Sequence, residues 1–401
     1  MIGGRYDIVI VGAGLAGAGL AAALDGSGWR VALLEARPLR SGWPPLEDSV
    51  DGFDTRVCAL NAASQGFLDS VGAWPAIAER RLCPYRQMEV WDAEGTGRVV
   101  FDSAVVNRDA LGHIVENRLV NAALLNRLDD SANVQRFSPV TVQGFTRRDG
   151  RVHLQLAEGG EASAALLVAA DGGASPLRRL AGLRTREWDY GQHAVVATVR
   201  TTLPHRHTAR QRFLRSGPLA FLPLPGDGDR RCSIVWSTSP EHAEQLLALD
   251  DAGFSRALAE AFEYTLGDIT AVGRRQSLAL RQCHAVDYVQ PGFALVGDAA
   301  HSIHPLAGQG INLGFRDVAV LAEELRRAQR RELAAGDLDV LLRYQRRRKA
   351  HNLATMAAME GFKRLFARTG LPLRLARNHG MRWVDGQLPV KRRLIRAAMG
   401  I

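Results

Sequence analysis

A glycine-rich turn, placed directly after an apolar and β-branched run near the N-terminus, restricts the fold more than any other feature. Residues 6–11 (YDIVIV) predict a buried strand, and the GxGxxG turn of Gly12, Gly14 and Gly17 follows before a run of helix formers. Such glycines permit the turn, the approach of a pyrophosphate to the backbone, and close helix–strand packing. Glu35 ends the next predicted strand, where a carboxylate can accept from both ribose hydroxyls of an adenosine. The sequence therefore predicts a dinucleotide-binding unit, with NAD and FAD both open.

Two later segments repeat the arrangement of an apolar strand followed by aspartate and glycine. The run LLVAA precedes Asp171 and Gly172, and the run FALV precedes Gly297 and Asp298. A glycine-rich stretch at 304–314 then leads into a predicted helix. In open α/β sheets, ligands bind beyond the carboxyl ends of the strands, and helix N-termini favour negative charge. A reduced flavin carries such charge at its N1–C2=O edge, so these segments favour FAD.

The order and spacing of the three segments resemble those of single-component aromatic hydroxylases built on the p-hydroxybenzoate hydroxylase fold. Within that group, the chain resembles the FAD-dependent hydroxylases of ubiquinone biosynthesis over essentially its whole length. The strings that carry the resemblance include DTR (54–56), GHIVEN (112–117), FLPL (221–224), SIVWS (233–237) and residues 297–314. The resemblance implies an α/β fold in which an FAD-binding Rossmann-like domain holds an inserted antiparallel-sheet substrate domain and C-terminal helices.

The middle of the chain alternates short apolar runs with turn clusters, which is typical of an antiparallel sheet. The return to a strand–turn–helix segment at Phe293 predicts that the nucleotide-binding domain is discontinuous. We predict an FAD-binding domain at 1–75, 105–186 and 281–345, a substrate domain at 76–104 and 187–280, and a C-terminal helical basic segment at 346–401. Apolar residues at helical spacing predict a helix over 343–377.

The resemblance also assigns residues to the cofactor. They are Gly12, Gly14, Gly17, Glu35, Arg37, Arg56, Asn117, Asp171, Gly172, Gly297, Asp298, Pro305, Gly308, Gln309, Gly310, Ile311 and Asn312. It implies that the first four form the ADP half-site with Arg37 nearby, and that Arg56 lies by the flavin. Asp171 and Gly172 are expected near the pyrophosphate and NAD(P)H, Asp298 at a ribityl hydroxyl, and Pro305 with 308–312 along the isoalloxazine. Asn117 stands where many relatives have Arg or Gln.

The implied reaction is hydroxylation of an electron-rich, polyprenylated phenol through a flavin C4a-hydroperoxide, with NAD(P)H docking transiently as reductant and O2 as co-substrate. No catalytic residue is assigned. Arg56, His304 and Pro305 are candidates, while His301 and His304 are either bases or structural residues. The same motifs fit three alternatives: a sister hydroxylase acting at another ring position, a flavin reductase or dehydrogenase of a prenyl lipid, and a non-catalytic flavin-binding assembly component.

The net charge of +9 is concentrated at the C-terminal end. Residues 321–401 contain 19 Lys or Arg and 7 Asp or Glu, a net +12, which leaves −3 for the rest. An anionic membrane surface, an acidic partner, nucleic acid or plain solvent would each suit this charge. The resemblance implies other ubiquinone-biosynthesis proteins as partners and no nucleic acid. The basic C-terminal segment predicts peripheral contact with an anionic membrane, with packing of its apolar positions on the main body as the alternative.

No metal site is predicted. The HxxH of His301 and His304 lacks a third ligand, and the four cysteines lie far apart. These are Cys58, Cys83, Cys232 and Cys283. The uncharged run at 8–24 imitates a signal peptide, but its glycines occupy the positions that a dinucleotide-binding turn requires. We therefore expect reduced thiols and a cytoplasmic location, with peripheral contact at the inner face of the membrane as the alternative.

Overall fold

The structure is a computed structural model that describes residues 3–40, 42–157, 159–302, 309–367 and 370–401. Its strands are β1 (Gly4–Val11), β2 (Val31–Leu34), β3 (Val57–Asn61), β4 (Leu82–Tyr85), β5 (Gln87–Asp92), β6 (Arg98–Asp102), β7 (Gly112–Glu116), β8 (Val134–Phe137), β9 (Val142–Arg148), β10 (Arg151–Leu156), β11 (Glu161–Ala169), β12 (Thr185–Thr201), β13 (Thr208–Leu214), β14 (Gly217–Leu224), β15 (Arg231–Thr238), β16 (Ile269–Val272), β17 (Gln276–Ala285), β18 (Val289–Gln290), β19 (Phe293–Leu295) and β20 (His301–Ser302). Its α-helices are α1 (Leu15–Ala23), α2 (Ala62–Ser70), α3 (Trp74–Ala78), α4 (Asn117–Asn126), α5 (Pro176–Leu180), α6 (Pro240–Ala248), α7 (Asp251–Ala261), α8 (Gln309–Gln329), α9 (Leu338–Ala367), α10 (Leu371–Gly386) and α11 (Leu388–Met399).

A largely parallel sheet forms the nucleotide-binding half. Its strands lie in the order β18, β19, β11, β1, β2 and β8, and β1 pairs in parallel with both β11 and β2. Helices α1, α4 and α8 pack together beside this sheet. Because both faces of a parallel sheet are covered, its strands are continuous apolar runs, and Ile8, Val9 and Ile10 are fully buried. The glycine-rich turn thus lies at the carboxyl end of the central strand.

A second, larger sheet has strands in the order β20, β17, β12, β15, β14, β13, β5 and β6, with β16 paired to β12. Residues on alternate positions of these strands face opposite sides. One side is covered by α6 and α7, where Phe221 and Trp236 pack with Phe254 and Phe262. The other side carries Leu222, which packs against a small cluster that includes Ile114 of β7. We call this second side the inner face, because it is turned toward the three-stranded sheet β3–β7–β4.

The C-terminal helices differ from the sequence prediction. The single helix predicted over 343–377 is divided between α9 and α10, and α10 begins after Gly370 with Pro372 in its first turn. Proline suits that position because its missing NH has no partner in a helix start. Two predicted domain boundaries, at 280/281 and 345/346, fall inside β17 and α9. Among the described helices, none combines the length and apolarity needed to cross a bilayer.

Candidate cofactor site

The glycine-rich turn is packed directly on the segment that contains Asp171. Gly12 has a φ of +103°, and a Cβ there would lie 2.4 Å from the carbonyl oxygen of Ala170. A Cβ on Gly17 would lie 1.8 Å from the carbonyl oxygen of Gly12. Both positions therefore require glycine for close approach, as the motif predicts.

The third segment meets the same turn from the other side. Gly297 has a φ of +60°, and a Cβ there would lie 2.9 Å from the Cβ of Ala16 and 3.9 Å from the Cα of Gly314. By contrast, a Cβ on Gly14 or Gly310 would meet no atom within 4 Å. The three segments thus converge, and two of their glycines face open space.

The Glu35 carboxylate lies against the glycine-rich turn. One of its oxygens accepts from the Ala13 NH at 2.8 Å, and the other accepts from the Arg37 NH at 3.1 Å. Asn121 donates to the Ala13 carbonyl at 2.8 Å from the opposite side. The Arg37 side chain is exposed. The carboxylate and the turn that the motif pairs in sequence are therefore adjacent in space.

The Asp171 side chain serves the local fold. Its carboxylate accepts from the Ser175 hydroxyl at 2.5 Å and from the Leu177 NH at 3.1 Å, which caps α5. Burial raises the pKa of this carboxyl. Gly172, with a φ of +87°, leaves the backbone open beside it. The open backbone at Gly172 is thus a group of this segment that a cofactor could approach.

Arg178, which the motif analysis did not assign, ties the second segment to the third. It is 3% exposed, and its guanidinium donates to the Ala299 carbonyl at 2.7 Å and to the Gly173 carbonyl at 2.8 Å. Two loops more than a hundred residues apart are thereby held in fixed positions. No local sequence signal marks this role, because both acceptors are backbone atoms.

Asp298 presents a carboxyl group to the open side of the site. Its side chain is accessible to solvent, while the surrounding protein limits its hydration and raises its pKa. The charges of His301 and Arg56 act in the opposite direction, toward the ionised form. Arg56 is itself exposed. The structure therefore brings together Asp298 and Arg56, which belong to distant motifs.

The backbone of Arg56 is held at both ends. Its NH donates to the Asp54 carboxylate at 3.0 Å, and its carbonyl accepts from the Asn117 NH at 3.0 Å. The Asn117 side-chain oxygen is buried and has no hydrogen-bond partner. An unpartnered buried acceptor is costly, so this oxygen fits a donor on a bound ligand.

Glu116, at the end of β7, organises the loop that carries Arg56. It is 1% exposed, and its carboxylate accepts from the Asp54 NH at 2.6 Å, from Arg81 at 2.8 Å and from Arg118 at 2.8 Å. Both guanidinium groups also donate to the Gly52 carbonyl, at 2.7 and 2.6 Å. We call residues 47–56 the strap, since these bonds fasten it to β7. No motif in the sequence marks Glu116 for this role.

His301 is a structural partner of a buried aspartate. It donates to Asp317 of α8, which is 0% exposed and also accepts from the Gly297 NH at 3.2 Å. Arg348 and Asn352 of α9 reach the same carboxylate at 2.8 and 3.1 Å. Despite burial, these positive and donor groups hold the pKa of Asp317 below its usual range. The arrangement favours the structural interpretation of His301 over a role as a free base.

The remaining predicted contacts divide into two groups. His304, Pro305 and Gly308 lie outside the described residues. Gln309, Gly310 and Ile311 form the start of α8. Asn312 is buried, and its side-chain oxygen accepts from the Asn61 NH at 3.0 Å and from the Ser64 hydroxyl at 2.6 Å. The Asn312 side chain thus anchors α8 to α2 rather than facing the open site.

A cavity of about 220 Å³ separates the strap from the inner face of the large sheet. Residues of the strap line one wall, and Thr198, Arg274 and Gln276 line the other. The hydroxyl oxygens of Thr198 and Ser237 are buried without a hydrogen-bond partner. Val235, Ala220 and Leu222 lie half-buried on the same inner face. This surface combines apolar side chains with unpaired hydroxyl groups.

The donor set suits a flavin dinucleotide. The converging segments carry open glycines at 14 and 310 and an accessible carboxyl at Asp298, on which the charge of exposed Arg56 acts. Asn117, whose NH binds the Arg56 carbonyl, adds an unpaired side-chain oxygen. Within the described ranges, no three His, Cys, Asp or Glu side chains lie close enough together to hold a metal ion. The residues present fit organic phosphate and hydroxyl groups better than a cation.

Comparison with known proteins supports this assignment. A family profile described as an FAD binding domain matches residues 5–358. The 3-demethoxyubiquinol 3-hydroxylase of Escherichia coli K12 is 37% identical over 396 residues, covering 98% of each chain. The human mitochondrial ubiquinone biosynthesis monooxygenase COQ6 is 35% identical, covering 97% of this chain and 92% of its own. Ubiquinone hydroxylase UbiL of Rhodospirillum rubrum is 37% identical, covering 98% and 89%.

Solved structures share the fold. The p-nitrophenol 4-monooxygenase PnpA of Pseudomonas putida DLL-E4 superposes with a TM-score of 0.79 at 20% identity, covering 99% of both chains. Klebsiella pneumoniae HpxO, solved with FAD and uric acid, superposes with a TM-score of 0.74 at 19% identity, covering 99% and 96%. The p-hydroxybenzoate hydroxylase type of α/β fold is confirmed, and FAD is the cofactor.

Proposed function

The chain belongs to the family of FAD-dependent hydroxylases of ubiquinone biosynthesis, and we propose that it hydroxylates the ring of a polyprenylated phenol. In this reaction the phenol, O2, NAD(P)H and a proton give the hydroxylated ring, water and NAD(P)+. One oxygen atom enters the ring and the other leaves as water, so electrons and atoms balance. The observation that carries the proposal is the convergence of three distant segments around the open space beside Gly14, Gly310 and Asp298.

The chain's own residues hold and orient the cofactor. The backbone around Gly14 and the N-terminus of α1 bind the pyrophosphate, Glu35 accepts from the ribose, and Asp298 accepts from the ribityl chain. Arg56 contributes positive charge beside the flavin, and the Asn117 oxygen accepts one further hydrogen bond. A flavin held by these residues would supply the activation of O2.

The inner face is our proposed wall for the substrate ring. Its half-buried Val235, Ala220 and Leu222 match an apolar ring, and the unpaired hydroxyl of Thr198, which lines the cavity, matches a phenolic oxygen. The apolar side chains of this wall would also help to exclude water from the oxygen-transfer step.

We also propose which carbon of the phenol ring is hydroxylated. The strings of this chain resemble those of 2-octaprenylphenol hydroxylase, which supports hydroxylation at C5. They include YRQMEVWD (85–92) and WDY (188–190). The relatives include a 3-demethoxyubiquinol 3-hydroxylase, so a sister position is the alternative. NMR of the product from a polyprenylphenol separates the two, since the coupling pattern of the ring protons differs.

The central test uses purified protein loaded with FAD. We expect O2 uptake that depends on both NAD(P)H and the prenylphenol, together with a hydroxylated product. Asp298→Ala should lower FAD affinity and product formation together. Uptake without a hydroxylated product would favour the reductase or dehydrogenase alternative. Complementation of a quinone-deficient strain by Asp298→Ala at wild-type level would favour the non-catalytic assembly component, because flavin chemistry would then not be required.

A further inference from the structure

Helix α10 is fastened to the protein by polar side chains. Arg377 and Asn378 are 4% and 6% exposed, and both donate to the buried Asp92 carboxylate, at 2.8 and 2.9 Å. Asn378 also accepts from the Gly97 NH. The inner side of α10 is therefore fixed on β5 and on the β5–β6 turn.

The outer side of α10 carries large apolar side chains. Leu371, Leu375 and Trp383 are 57%, 61% and 54% exposed, and they fall within an arc of about 120° at 3.6 residues per turn. Exposed Arg382 lies within the same arc. Surface helices ordinarily turn such a stripe toward the core. Among the described residues, eight of the sixteen exposed large apolar side chains lie in residues 353–401, so apolar exposure is concentrated at this end.

The same end carries the charge of the whole chain. Residues 361–401 contain ten Lys or Arg and one Asp, a net +9, while the other 360 residues are neutral overall. Helix α11, which contacts α10, exposes Arg392, Arg393 and Arg396. We define the C-terminal face as the outer side of α10 together with these three arginines.

Charge decides which occupant suits this face. A symmetric contact between two copies would bring like charges together, which is unfavourable. A nucleic acid would meet the arginines but leave the Leu and Trp side chains in water. An anionic lipid surface satisfies both, because apolar side chains enter the acyl boundary while arginines contact the phosphates.

We propose that the C-terminal face docks the protein on an anionic lipid bilayer. Leu371, Leu375 and Trp383 enter the interfacial region, where Trp is especially favourable, and the arginines supply electrostatic attraction. Only the purpose of docking rests on the proposed function: it would give the enzyme access to a prenylated phenol dissolved in the membrane. Lipid binding itself needs neither phenol nor NAD(P)H.

The test is sedimentation of the full, FAD-loaded chain with vesicles. We expect binding to phosphatidylethanolamine–phosphatidylglycerol vesicles at low salt, weakening at high salt, and little binding to phosphatidylcholine vesicles. Leu371→Gln/Leu375→Gln/Trp383→Gln should lower the partition coefficient about a hundredfold. Arg392→Gln/Arg393→Gln/Arg396→Gln should lower it about fivefold per charge and flatten its dependence on salt.

A matched control uses exposed side chains of the same types elsewhere. Leu203, Leu249 and Trp188 are 50%, 37% and 49% exposed, and replacing all three by Gln should leave vesicle binding unchanged. Thermal unfolding shows that each variant is folded.

Absence of binding to anionic vesicles at low salt would overturn the proposal. An equal loss in the control variant would also overturn it. If the α10 triple variant changed the sedimentation coefficient of the free protein but not vesicle binding, the face would belong to a second copy instead. Because no phenol is present, none of these failures affects the ring-hydroxylation proposal, and loss of hydroxylation would leave vesicle binding intact.

Discussion

Replacing Glu116 by Gln perturbs the strap while keeping the size of the side chain. Breaking a buried ion pair costs about 3–5 kcal/mol. The Arg81 and Arg118 side chains that pair with Glu116 are 12% and 30% exposed, so water recovers part of that cost. We therefore expect Glu116→Gln to lower the free energy of unfolding by about 2–3 kcal/mol. Chemical denaturation of the apo protein measures this value.

The same substitution should also weaken FAD binding. Glu116 fixes the Asp54 NH, and Asp54 in turn fixes the Arg56 NH, so a displaced strap moves the guanidinium that we propose contacts the flavin. Loss of one charged hydrogen bond is worth about 1.5–3 kcal/mol, which corresponds to a dissociation constant about 10- to 100-fold higher. Quenching of flavin fluorescence during titration of the apo protein gives this constant.

Glu324 provides a matched control. Its side chain is 3% exposed and lies between Arg343 at 3.0 Å and Arg347 at 2.8 Å, far along α8 from the strap. Glu324→Gln should cost similar stability and leave the FAD dissociation constant unchanged. In a double-mutant cycle, Glu116→Gln and Arg56→Met should be non-additive for FAD binding. Additive effects, or wild-type FAD affinity in Glu116→Gln, would refute the positioning role.

Three further predictions follow from burial and close contact. Gly17→Ala should prevent stable folding because its Cβ meets the Gly12 carbonyl. Gly14→Ala should keep the wild-type melting temperature and lower only the affinity for FAD. Equal melting temperatures for the two variants would contradict this prediction. Burial lowers the pKa of His284 to about 4, so the unfolded state binds the extra proton between pH 6.5 and 4 and stability falls as pH falls through that window. Urea unfolding should show a slope of up to about 1.4 kcal/mol per pH unit that His284→Gln removes, and an unchanged slope would be inconsistent with burial of the neutral form. Burial raises the pKa of the Cys58 thiol to about 12, so this thiol should react with a disulfide reagent only after denaturation, and rapid labelling of Cys58 in the native protein would disagree.

Local patterns were sufficient to predict the elements that carry the site. A strand followed by glycines at fixed offsets encodes its own turn, so Gly12, Gly17 and Gly297 lie at the close approaches that their motifs require. The antiparallel middle was predictable because alternation and turn residues are also local. The large sheet also contains β5 and β6, from the 76–104 segment that the domain prediction grouped with the middle of the chain, and α6 and α7 cover the side opposite the inner face.

Residues that act through tertiary contacts were not predictable. Glu116 gathers partners from positions 54, 81 and 118, and Asp317 gathers partners from positions 297, 301 and 348. No spacing in the sequence marks such sets, because each partner is brought in by a different element. Asn312 shows the converse, since a residue inside a cofactor motif can be used to anchor a helix.

The fate of O2 tests the central claim most directly. FAD-loaded protein is incubated with NAD(P)H, a polyprenylphenol and isotope-labelled O2, and the mass of the extracted product is measured by mass spectrometry. We predict one labelled oxygen atom in each hydroxylated ring, with one NAD(P)H oxidised per product. Oxidation of NAD(P)H with the phenol unchanged, or a product oxygen derived from water, would contradict the account.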